Sequence, residues 1–373
     1  MAQEAIDLIE TAAEDFRRVF ERNPHKKGEP LFLLKYLVSE EEQERQTVEI
    51  LEHSNAPPHI IYAYRKTGGL LVTSENERLI PTKDLEDWNS AIDEYFRLQE
   101  NPPEPHPVDV LFHSLEDELD SCLICLGYVL EHGRNPRAQR IASSSEYFTV
   151  DDYVLVCVTK SMKTLRSIKA LLEAHIGADG LSLARHLLEN YFHIVFAIAR
   201  PDMLKHLVDA PIGLKRGTHD FERTANGRIN SRKILRKEDG AEYLGHVTRH
   251  EMAKSSPYKE DLELFDYLYS FLSEFTHPST TGFELVFGEH GELNALSNEL
   301  RSEALFYSIR FAALILDELR KIPILSTKAK KDIKTVAKRI GTKARLLIAA
   351  LFEEAEPPQS FALLRDRLSS LGT

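Results

Sequence analysis

Arg185, Glu189 and His193 recur at four-residue steps in LARHLLENYFH, so a helix places them on one face. The same helix is otherwise very apolar, with Leu183, Leu187, Leu188, Tyr191, Phe192, Ile194, Val195, Phe196 and Ile198. A helix apolar nearly all round is a buried one. An ionised Arg and Glu inside it must be paired or hydrogen-bonded. A second segment, YLYSFLSEFTHPS, sets Ser273 and His277 four apart, with His277 just ahead of Pro278. That puts His277 at a helix C-terminus, where carbonyls favour the imidazolium and suit it to general acid or base work. Arg185 would then steady a phosphate, His277 would move a proton, and Glu189 and Ser273 would orient the pair. RNA carries its own nucleophile in the 2′-hydroxyl, so such chemistry needs no metal. The bland alternative is an Arg185–Glu189 pair at a helix edge and a His277 that only caps its helix.

Other constellations point to less. EYLGHVTRH spaces Glu242, His246 and His250 four apart, but the outer two lie about 12 Å apart along a helix at 1.5 Å per residue, too far for one ion. Cys122 and Cys125 form a CxxC inside SCLICLGYVL, an apolar helical run, and Cys157 is the only other thiol. Core packing explains them better than metal or redox work, since free Cys is usually buried. The phosphate-binding GxxxxGK[ST], the dinucleotide GxGxxG, the hydrolase GxSxG and the zincin HExxH are all absent. No cofactor and no metal are expected.

The elements that must position these residues are mainly helical. The pattern predicts helices over 2–22, 31–53, 82–99 and 108–131, then a bundle with helices over 150–176, 179–199, 257–276 and 298–321. Thr149 with Asp152 three residues on reads as an Asp variant of the capping box. Ser326-Thr327 caps a helix to about residue 354, and a last one fits 359–371. HIIYAYRKTGGLLVTS, with β-branched and aromatic residues flanking Thr67-Gly68-Gly69, predicts a β-hairpin in the N-terminal region. GFELVFGEHGEL predicts a second, small one. Residues 210–254 have weak periodicity and several glycines, which predicts an irregular, mobile segment. Four prolines within 101–107 mark a boundary. The chain thus reads as three regions: 1–100, helical with the hairpin; 108–325, the central bundle; and 326–373, a basic helix and a short terminal one.

The chain has 373 residues and a net charge of −12, which argues against indiscriminate coating of nucleic acid. Positive charge is nevertheless concentrated. Residues 215–237 hold eight Lys/Arg against two acids, and 320–345 hold ten against one. Both are candidate contacts for RNA or another polyanion, through phosphates rather than bases, since TKAKKDIKTVAKRIGTKAR has no aromatic ring to stack. The alternative is a solvated helix face that offsets acidic stretches such as SEEEQER. The longest apolar runs are about half of the ~20 residues a membrane span needs, and no membrane contact is expected. The acidic, amphipathic N-terminus does not resemble a secretory signal, and the cytoplasm is the expected compartment.

RHLLEN together with SEFTHPS resembles an uncharacterised family of bacterial helical proteins over about 150–320. Some members of that family occur near mobile elements and phage-defence genes, and no reaction is established for it. A looser similarity is to the HEPN helical bundles, which include metal-independent ribonucleases. Their Arg is followed four to six residues later by His, whereas seven residues separate Arg185 from His193 here. The resemblance implies an RNA-cleaving or phosphate-binding protein of a defence or mobile-element context. A helical scaffold or regulator that acts through a protein partner or a second copy of itself stands as the alternative.

Overall fold

The computed structural model describes residues 44–45, 47–48, 51–52, 54, 56–73, 76–100, 107–133, 139–174, 176–276, 300–352, 359–369 and 371. His277, the helix expected at 2–22, most of that at 31–53 and the hairpin expected at 282–293 lie outside them. The architecture is mainly α, with one small antiparallel sheet. Among the described residues no helix is long and apolar enough to cross a membrane.

The chain divides into two compact units. In the first, helices α1 (Pro58–Lys66) and α2 (Thr82–Glu100) pack through Ala63 and Tyr64 against Trp88 and Ala91. The hairpin expected around Thr67-Gly68-Gly69 does not form. Pro58 opens a helix, where a missing N–H costs nothing. Gly68 and Gly69, at φ 65° and 90°, terminate that helix instead of turning a strand. Ile60, Ile61, Ala63 and Tyr64 suit a strand by type, but their i, i+3, i+4 spacing is that of one helical face.

The second unit is a bundle of α3 (Pro107–Gly133), α4 (Val150–Glu173), α5 (Gly177–Ala199), α6 (Asp209–Arg216), α7 (Arg249–Lys254), α8, α9 (Arg301–Leu319), α10 (Thr327–Leu351) and α11 (Gln359–Ser369). Helix α8 covers 260–274 and is built from Glu260–Leu264, a π-helical turn Phe265–Tyr269 and Ser270–Glu274. Every residue of α9 from Ala304 to Leu319 is buried, because α3, α4, α5 and α10 pack around it. Gly180 lets α5 approach closely: a Cβ there would stand 3.0 Å from that of Ala304. Cys122 is fully buried between α3 and its neighbours, and burial holds its thiol far above the usual range. Thr149 and Asp152 form the capping box that starts α4, and Ser326 caps α10 through the amide of Ala329.

The sheet lies in the middle of the chain, in the segment expected to be irregular. Strands β1 (His219–Arg223), β2 (Ile229–Arg236) and β3 (Glu242–Leu244) form an antiparallel meander that pairs Phe221 with Ile234 and Ile234 with Tyr243. Its small core is Ala210, Ile234 and Tyr243. Gly213 of α6 meets β1 so closely that a Cβ would lie 1.9 Å from Nδ1 of His219. Glu242 is thus on a strand and His250 on a helix, so the regular four-residue stepping assumed for EYLGHVTRH does not hold.

Candidate functional site

Helices α5 and α8 run antiparallel, and three contacts fix their register. Ser182 Oγ donates to the Phe275 carbonyl, Arg185 reaches Tyr269 and Thr276, and Tyr191 donates to Asp261. Arg185 is fully committed. Its Nε donates to Glu189 Oε1 at 3.1 Å, Nη1 to Thr276 Oγ1 at 2.8 Å and Nη2 to the Tyr269 hydroxyl at 3.0 Å. Tyr269 closes the π turn and stacks on Phe265 with centroids 4.7 Å apart. The π turn adds a residue and so rotates the rest of α8, which sets the face on which Tyr269 and Thr276 meet α5.

Of the residues singled out in the sequence, Arg185 and Glu189 are brought together, with 19% and 14% of their side chains exposed. Ser273 does not join them: its hydroxyl donates to the Tyr269 carbonyl of its own helix. His277 comes after Thr276 in the chain and lies outside the described residues. Arg185→Met is expected to lower stability by about 2–3 kcal/mol, since a hydrogen bond to a charged group is worth roughly 1.5–3. Urea unfolding of Arg185→Met, Glu189→Gln and the double variant checks this. A loss under about 0.5 kcal/mol would mean that the pair contributes no more than surface ion pairs do.

Beside this tie opens a cavity of about 320 Å³. Helix α4 lines it with Tyr153, Val156, Cys157, Lys160, Lys163 and Thr164, α5 with His186, Glu189, Asn190 and His193, and α7 with Arg249. Both sets keep helical spacing, so each helix gives one face. Arg249 is placed by the capping box of Thr248 and Glu251, which starts α7 there. Its Nε stands 3.6 Å from Glu189 Oε2 and has no hydrogen bond. Glu189, the one carboxylate of the lining, is therefore shared between two arginines, and Lys160 and Lys163 leave the cavity with surplus positive charge.

His193 Nδ1 and the Tyr153 hydroxyl share a hydrogen bond of 2.7 Å. Burial, then the charges of Arg249 and Lys160, push the imidazole down to about 3. It is therefore neutral at neutral pH and binds protons weakly. Burial also raises the Tyr153 phenol, which keeps its proton. His186 is exposed at the edge of the cavity. Among the described residues no group of three or more His, Cys, Asp or Glu could hold a metal ion.

Sequence reasoning missed Tyr153, Lys160, His186, Arg249, Tyr269 and Thr276. The seven-residue step from Tyr153 to Lys160 was available as a signal, and so was the Thr248–Glu251 capping box. What the spacing could not show was that the face of α4 meets that of α5.

The fold and the site thus define a helical bundle with a cationic cavity along its second and third helices. Residues 151–294 match a family of unknown function, DUF5677. The matched stretch includes every residue of the cavity lining and every partner of Arg185. No curated protein and no solved structure matches the chain.

Proposed function

We propose that this protein binds a phosphate ester, with RNA as the substrate class, in the cavity between α4, α5 and α7, and cleaves it through the 2′-hydroxyl. The observation that supports this reading is the surplus of cations, Lys160, Lys163 and Arg249, around a carboxylate already held by Arg185. Such a cavity is short of anionic charge, and charge-assisted bonds to phosphate oxygens would supply it. Lys160 and Arg249 hold the non-bridging oxygens. Arg185 and Glu189 form the wall behind them, and Ser273 steadies the turn that carries Tyr269. The 2′-oxygen attacks phosphorus as its proton passes to a base, the bond from phosphorus to the 5′-oxygen breaks, and that oxygen takes a proton from an acid. His186 and His277 are the pair proposed for these two transfers.

Binding is measured first, with a nucleoside 3′-monophosphate and calorimetry. Lys160→Gln and Arg249→Gln are each expected to weaken it about ten- to a hundredfold, the size of one charge-assisted contact. Cleavage of an RNA panel in the presence of a chelator, with 2′,3′-cyclic phosphate ends in the products, completes the test. No binding of phosphate esters and no cleavage would refute the proposal.

One observation favours a scaffold role instead: Arg185, the arginine first offered for phosphate, has no donor group without a protein partner. Under that reading the Arg185 cluster only ties α5 to α8, and the cavity variants leave every ligand measurement unchanged.

A further inference from the structure

Helix α10 has two faces of different chemistry. Ile333, Ala337, Ile340, Ala344 and Leu347 are buried in the bundle, while its lysines line two adjoining grooves of about 380 and 500 Å³. Lys331 and Lys334 belong to both grooves, Lys330 to the first and Lys338 to the second. The carboxylates at the groove edges are already taken. Glu118 binds Arg339 and Lys343, Asp317 binds Arg320, and Glu318 binds Lys321 and Arg367. Asp332, the only acid on α10, lines neither groove and lies about 100° round the helix from Lys331. Among the described residues Lys330, Lys331, Lys334 and Lys338 have no ion-pair partner. Lys331, Lys334 and Lys338 therefore form a row along one face, spaced about 4.5 and 6 Å along the axis at 1.5 Å per residue.

The other basic segment differs. On the sheet, Lys233 is paired with Glu222 and Glu242, and Arg236 with Glu146 and Asp239, so much of its charge is cancelled within the fold. The one ring that lines the first groove, Tyr258, already carries Arg367 and Lys321 over its face, so a row of unpaired ammonium groups on a rigid helix suits a ligand that presents regularly spaced negative charges and no bases to be read.

We infer that the Lys331–Lys334–Lys338 face of α10 is a docking track for the phosphodiester backbone of single-stranded RNA, bound without regard to sequence. The choice of RNA rests on the cavity reading above; the track itself rests on the charge arrangement of α10. The test is fluorescence anisotropy of a labelled single-stranded RNA titrated at several salt concentrations. The triple variant Lys331→Gln, Lys334→Gln, Lys338→Gln is expected to reduce the slope of log affinity on log salt by about 2, as three single-strand phosphate contacts at about 0.7 each require. The matching triple Lys331→Arg, Lys334→Arg, Lys338→Arg keeps the slope, which shows that the face still folds. Removing three charges from the other segment, with Lys215→Gln, Arg228→Gln and Arg232→Gln, leaves it unchanged. An unaltered slope in the α10 glutamine variant overturns the inference, and so does an equal fall in both glutamine variants. Binding of polyglutamate as tight as that of RNA, lost in the same variant, would assign the face to an acidic protein and overturn it too. Lys160→Gln with the nucleoside monophosphate reports on the cavity alone, so a failure there is separable from a failure here.

Discussion

Replacing Arg367 by methionine is expected to lower the stability of the protein by about 3–5 kcal/mol, the cost of removing one partner from a buried ionic network. Arg367, on α11, is 1% exposed, and so is Glu318 of α9; Asp261 of α8 is not exposed at all. The guanidinium lies 3.5 Å over the ring of Tyr258, donates to the Tyr191 hydroxyl at 3.0 Å, and stands 3.6 Å from Asp261. Without it Asp261 has no cation beside it among the described residues, and Glu318 keeps only Lys321. Urea unfolding measures the loss, and a change below about 1 kcal/mol would show that the network adds nothing beyond what apolar packing supplies. The same network carries a pH signature. Burial raises the Asp261 carboxyl to about 6, and its bonds from Ser256 and Tyr191 and the charge of Arg367 do not reverse this. Between about pH 4 and pH 6 the folded chain therefore holds a proton that an unfolded aspartate, at about 3.9, has released. The contribution to stability is full below about pH 4 and is lost as pH rises through 6. Asp261→Asn should flatten the stability curve across that window.

Under the proposed function, loss of His186 is expected to slow RNA cleavage by about 10²–10⁴, the usual worth of a positioned general acid or base. Cleavage through the 2′-hydroxyl takes one proton off and puts one on, so His277→Ala should cost a similar factor if that residue serves as the second group. His193→Gln serves as the contrast. A histidine held down near 3 is a poor base at neutral pH, and its bond to Tyr153 gives it a packing role. Its replacement should leave the cleavage rate within about threefold, a change of under 1 kcal/mol in the barrier. Circular dichroism and urea midpoints of the three variants separate lost chemistry from lost fold. A His193 variant that is folded and inactive, beside an active His186 variant, would reverse the assignment.

Much of the helical architecture was legible because its signals are local. Thr149 with Asp152, Ser326 before Ala329, and Pro201 after Ala199 mark ends that depend on a few neighbouring residues. The sheet was not legible. Its strands turn inward only Phe221, Ile234 and Tyr243 with the polar His219, and carry Arg, Lys and Glu elsewhere, so no apolar alternation stands out. Helix α1 misled in the opposite direction, since Ile and Tyr favour strands until Trp88 offers a helical face something to pack on. The Arg185–Glu189 pair is implied by a four-residue step. Its other partners, Tyr269 and Thr276, are 84 and 91 residues away, and Arg249 reaches the site from a third helix. Spacing along one helix carries no information about which face of another it meets.

Gly180 and Ala304, so close that a methyl group on the first would press on the second at 3.0 Å, mark where α9 crosses α5. The stretch shared with the family of unknown function ends at residue 294, and α9 begins at Arg301. The shared segment therefore contains the cavity but not the helix that covers the apolar back of α5 and α4. Cut out on its own, it would expose to water the face of α5 around Gly180 that packs against α9. In this chain the covering helix therefore comes from outside the matched stretch. The family boundary is thus a boundary of shared sequence and not of independent folding.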